Sequence, residues 1–119
     1  MTRERLPARR NAATFEVVHG AHLYDVTAGF YDDGRVGEVF VTPRLKIKSG
    51  DLLEAVARDG AILLSIALQF GCPVETIRAA LTRDERGAAA SPIGEVCDAL
   101  AEIRIEAVAD GATDGEGAP

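Results

Sequence analysis

The chain has 119 residues, 47% of them apolar and 27% charged, with a formal net charge of −6. A domain of this size buries roughly two thirds of its unfolded surface, enough for a core but not for a large catalytic barrel. No apolar run approaches the ~18–20 residues of a spanning helix, and no apolar segment follows the arginine-rich start. Neither membrane insertion nor secretion is therefore expected, and a cytoplasmic location is.

Charge is segregated along the chain. Residues 1–94 hold 12 basic and 12 acidic side chains, whereas seven acidic residues and Arg104 alone follow from Glu95 onward. Residues 1–12 read as an extended basic arm, residues 13–106 as a single domain, and residues 107–119 as a disordered acidic tail, glycine-rich and aperiodic from Ala109.

Within the domain, Thr14–Val18 alternates with period two, as a strand does. His22–Phe30 alternates again, with Tyr24, Val26, Ala28 and Phe30 on one face. Asp32-Asp33-Gly34 predicts a hairpin turn, because glycine accepts the positive φ that the strand twist demands. Val36–Thr42 is the third strand, ended by Pro43, which withholds a ladder donor. A helix follows, with Asp51 and Glu54 in a capping-box arrangement. Leu52, Val56, Leu63, Ala67 and Phe70 run at helical spacing on it, and the near-continuous apolar stretch Ala61–Leu68 predicts burial on more than one side. Gly71 supplies its C-cap. Pro73 opens a short helix with a Val74, Ile77, Leu81 stripe, and Ser91-Pro92 opens a third with Ile93, Val96, Leu100 and Ile103 on one face. Strands first and helices after predict an α+β fold, a three-stranded antiparallel meander with three helices packed on one face. The sheet's other face or an edge stays open, so a homodimer is expected.

The basic loop ahead of the long helix, with Arg44, Lys46, Lys48, Ser49 and Gly50, is the first candidate site. Helix amides and the positive end of the dipole attract anions, and lysines add charge. A phosphate of a nucleotide or nucleic acid, or an acidic protein surface, would fit it. A solvated anti-aggregation edge explains the same residues. Arg3, Arg5, Arg9 and Arg10 form the second candidate, gripping phosphates or a partner's carboxylates. A tail folded back on the protein's own acidic residues is the competing reading. His19 and His22 flank a turn but are too few for a metal site. Asp32 and Asp33 are explained by the turn. Arg58 and Asp59 lie mid-helix and, if buried, require pairing. Cys72 and Cys97 form no CxxC pair and read as small hydrophobes.

The segments RERLPARR (3–10), TFEV (14–17), GFYDDGRVGEVFVT (29–42) and SIALQFGCPVETI (65–77) share order and spacing with a known family. Over about residues 3–82 they resemble the C-terminal accessory region of adenosylcobalamin-dependent ribonucleotide reductases. The resemblance implies a reductase setting, a reductase catalytic chain as partner, and adenosylcobalamin by association only. No catalytic residue carries over, since that family's terminal redox cysteine pair is absent here. The expected function is a non-catalytic accessory module binding a protein or a nucleotide, with no cofactor of its own. The alternatives are a subunit acting in trans in ribonucleoside-diphosphate reduction, and a nucleic-acid-associated regulator.

Overall fold

A computed structural model describes residues 2–44 and 52–114, with side chains as far as Ile103. Its order is β1 (Ala12–His19), β2 (His22–Phe30), β3 (Val36–Pro43), α1 (Leu52–Gln69), α2 (Val74–Ala80) and α3 (Pro92–Asp114). The strands form one antiparallel sheet in the order β1-β2-β3, so the fold is α+β as the segregation of strand and helix patterns predicts.

Local chemistry sets the joints. Gly34 takes φ +92° in the β2–β3 hairpin, where Asp33 accepts from the Arg35 amide at 3.0 Å and from Arg35 Nε at 2.7 Å. Those two bonds, the amide first, hold the Asp33 carboxyl below its ordinary range. α1 ends in a Schellman motif. Gly71, at φ +95°, donates to Leu68 O at 3.0 Å, and the Cys72 amide donates to Ala67 O at 3.0 Å. Ser91 caps α3 by accepting from the Gly94 amide at 3.1 Å.

One core forms between the sheet and the helices. Tyr24, Val26, Ala28, Val39 and Val41 supply the sheet side, and Ala57, Ala61, Leu64, Leu68, Val96 and Leu100 the helix side. α1 lies along β3, α3 packs on β1, and α2 packs on α3. The Ile93, Val96, Leu100 and Ile103 stripe faces this core as its spacing predicts, with Val96 and Leu100 fully buried.

α1 departs from expectation. Its buried face is Ala57, Ala61, Leu64 and Leu68, whereas Leu52, Val56, Leu63 and Phe70 are exposed. The helix is therefore buried on one side, not on several. Small residues face inward because α1 approaches its neighbours closely: a Cβ on Gly60 would lie 2.6 Å from Ile93 Cγ1. Arg58 and Asp59 are exposed rather than buried, and Arg58 pairs with Glu54 one turn earlier at 3.2 Å, a contact of only a few tenths of a kcal/mol. The expected disordered tail from residue 107 is helical to Asp114, since Ala107, Ala109 and Ala112 are strong helix formers that need no apolar periodicity. Residues 115–119 lie outside the described residues.

Cys97 is fully buried and Cys72 half-buried, and both are free thiols. Desolvation pushes the Cys97 thiol up to about 11, with the Asp98 carboxylate adding to the rise. A thiol reagent at pH 8 is thus expected to modify Cys72 in the native protein and to reach Cys97 only after denaturant is added. Mass spectrometry of the labelled chain checks the order.

Candidate functional site

The outer strand of a sheet exposes unpaired N–H and C=O groups, and β3 has two polar side chains of α1 set against its rim. The Val39 amide donates to Ser65 Oγ at 2.8 Å, and the Ser65 hydroxyl proton is shared between Val39 O at 3.2 Å and Ala61 O at 2.8 Å. One turn on, Gln69 Nε2 donates to Gly37 O at 2.9 Å. Positions i and i+4 of a helix share one face, so Ser65 and Gln69 together seal the rim of β3. Gln69 is 7% exposed and is the one buried polar side chain among the described residues.

The N-terminal arm locks onto the same place. Arg3 Nε donates to Gln69 Oε1 at 2.6 Å, and the Glu4 amide donates to Gln69 O at 2.7 Å. The Tyr31 hydroxyl donates to Glu4 O. Arg35 stacks 4.6 Å above the Tyr31 ring and bonds Glu4 Oε1 at 3.0 Å. Burial, then the nearby Glu4 carboxylate, raises the Tyr31 phenol above its usual range. Arg10 bonds Glu38 at 2.7 Å and also donates to Pro7 O. Arg3 and Arg10 are thus engaged within the domain, whereas Arg5 and Arg9 are exposed.

Arg44 lies on the other side of the sheet edge, where it bridges Glu16 of β1 and Asp25 of β2, the latter at 2.6 Å. Those carboxylates raise its pKa further. Lys46, Lys48, Ser49 and Gly50 lie outside the described residues. The arm meets α1 at its C-terminal end, through Gln69. His19 contacts Glu95 at 3.3 Å through Nδ1.

Along α1 runs the most unusual surface of the domain. Leu52 is 76% exposed, Val56 55%, Ile62 56%, Leu63 68% and Phe70 38%. They lie on one side of α1, opposite the core. Sequence reasoning found the spacing of this stripe but turned it inward. It gave Ser65, Gln69, Tyr31 and Gly37 no role, although all four lie in the segments that carry the family resemblance. The available signal was two polar residues one turn apart inside an apolar helix, which need partners.

A profile of the TSCPD domain matches residues 2–108. The chain belongs to the TSCPD domain family. The TSCPD domain here is 38% identical over 73 residues to a vitamin B12-dependent ribonucleotide reductase of Bradyrhizobium diazoefficiens, covering 61% of this chain and 6% of that protein. It is 36% identical over 80 residues to the enzyme of the same name from Agrobacterium fabrum, covering 67% and 6%. A third such reductase, from Rhodopirellula baltica, is 37% identical over 75 residues, covering 63% and 7%. The chain therefore spans only a small fraction of the relatives it matches. No solved structure matches it. Among the described residues of this TSCPD domain, no helix is long and apolar enough to cross a membrane.

A second polar cluster ties α2 to α3. Asp98 accepts from Arg78 Nε at 2.6 Å and from Arg83 at 2.7 and 2.9 Å. Hydrogen bonds from Arg83, then from Arg78, lower its pKa from 3.8 to about 2. Because the folded value is the lower one, the contribution is complete above about pH 4 and is lost as pH falls through about 2. Asp98→Asn is expected to cost about 1–2 kcal/mol at pH 7, a figure reduced for partial exposure. It should also flatten the loss of stability on acidification, read by urea unfolding at several pH values.

Proposed function

We propose that this TSCPD domain is a non-catalytic accessory module of a ribonucleotide-reductase system, and that it binds protein through the outer face of α1. The observation that carries the reading is the exposure of Leu52, Val56, Ile62, Leu63 and Phe70 in one stripe. Contiguous apolar patches on this scale mark interaction surfaces. The rest of α1 supports the role. Its inner face is fixed by the core, and its C-terminal end is fixed by the arm and by the β3 rim, so the stripe is presented on a rigid element. Kinship with vitamin B12-dependent ribonucleotide reductases supports the setting, with a reductase chain as the partner to try first. Nucleotide or nucleic-acid binding draws less support, since Arg44 is engaged by Glu16 and Asp25.

The test is binding of the purified domain to a reductase catalytic chain from the same cell, measured by biolayer interferometry, with Leu63→Glu as the comparison. Saturable binding that the substitution weakens by at least tenfold supports the reading. Binding unaffected by Leu63→Glu overturns the assignment to α1. If no protein, second copies included, binds through this face, the reading fails.

A further inference from the structure

The exposed stripe has a period of its own. On that side of α1, Leu52, Val56, Asp59, Leu63, the half-buried Ile66 and Phe70 follow one another at steps of four, three, four, three and four, the spacing of the a and d positions of a coiled-coil seam. Five of the six are apolar, and the flanking Ala55, Ile62 and Ala67 carry no charge that would oppose a second helix. The buried residues Ala57, Ala61, Leu64 and Leu68 lie on the other side. α1 is thus a helix with two apolar faces, one used by the core and one left open.

Resting on the reading that this face binds protein, we propose that its occupant is a second copy of the same chain, with the two α1 helices antiparallel about a two-fold axis level with Ala61. The seam is self-complementary in that arrangement. Leu52 meets Phe70 of the other copy, Val56 meets Ile66, and Asp59 meets Leu63, each pair then repeating on the far side of the axis. The parallel alternative sets Asp59 directly against Asp59 and aligns the two helix dipoles head to head. The antiparallel one sets each α1 N-terminus, with Glu54 in its first turn, beside a C-terminus that has no basic residue in its last turn. Opposite dipole ends then lie together. The five exposed apolar side chains of α1 offer on the order of several hundred Å², the larger part of the ~800 Å² each partner contributes to a standard interface. Asp59 is the one polar seam position, and facing Leu63 of the other copy it costs affinity.

Sedimentation equilibrium and chemical cross-linking of the full chain test this. The native chain is expected to dimerise at micromolar concentration, with dissociation at least about 100-fold easier in Leu63→Glu and about tenfold harder in Asp59→Leu. Both variants are expected to fold, as both sites are solvent-facing, and circular dichroism checks it. In a Cys72→Ser background, Leu52→Cys with Phe70→Cys is expected to oxidise to a covalent dimer, since the two sites on one helix are too far apart to bridge. Leu52→Cys alone is expected to form no covalent dimer. A monomer at about 100 μM, or efficient cross-linking of Leu52→Cys alone, overturns the antiparallel pairing. If a monomeric native chain binds the reductase chain and Leu63→Glu does not, the pairing is wrong while the protein-binding reading stands.

Discussion

Gln69→Leu is expected to destabilise the domain by about 3 kcal/mol, the largest effect of any single polar substitution in it. The replacement fills a similar volume, so little of the loss comes from packing. It removes the donor to Gly37 O and the acceptor for Arg3 Nε at once. A buried carbonyl on the rim of β3 is left unpaired, at roughly 1–3 kcal/mol, and a guanidinium loses a short bond. Gln69→Glu separates the two contributions. It keeps an acceptor for Arg3, strengthened by charge, but turns an oxygen toward Gly37 O, so it is expected to destabilise less at low pH than at neutral pH. Urea unfolding at pH 7 measures the first effect. Losses under about 1 kcal/mol for Gln69→Leu would mean that the rim of β3 does not depend on this side chain.

Gly37→Val is expected to cost about 3 kcal/mol, at the upper end of overpacking. A Cβ at residue 37 would lie 2.6 Å from Tyr31 Cε2, 2.9 Å from Tyr31 Cζ and 3.0 Å from Leu6 Cδ1. The Tyr31 ring cannot swing clear without breaking its hydroxyl bond to Glu4 O and its stacking under Arg35. The easier escape is to lift the arm off. Limited trypsin digestion is therefore expected to cleave after Arg3, Arg5, Arg9 and Arg10 much faster in Gly37→Val than in the native chain. Thermal unfolding should fall by roughly 10–20 °C for a domain near this size. An unchanged cleavage rate would show that the arm does not rely on this close approach.

The meander was legible because its signals are local. The alternation of His22–Phe30 and the DDG turn each need only neighbouring residues, and the turn bonds around Arg35 match them. α3 was legible because its stripe is its only apolar face. α1 was not, because two apolar faces compete and hydrophobic spacing alone favours the one with larger side chains. The true inner face is the small one, chosen by how closely β3 and Ile93 approach. The arm could not be resolved for a different reason. Arg3 and Gln69 are 66 positions apart, and a row of arginines carries no mark of which one finds an internal acceptor. The family resemblance pointed to the segments 3–10 and 65–77 together, and the Arg3–Gln69 bond joins them in the fold.

Capping one margin of the meander with side chains rather than with another strand limits how these molecules can stack. Strand exchange or fibre-like growth is disfavoured at the middle of β3, where an incoming backbone finds the Val39 N–H and C=O and the Gly37 C=O already engaged. Expression conditions or truncations that strip the first few residues would loosen that cap. Insoluble material would then be the expected product, even though every residue of the hydrophobic interior remained in place.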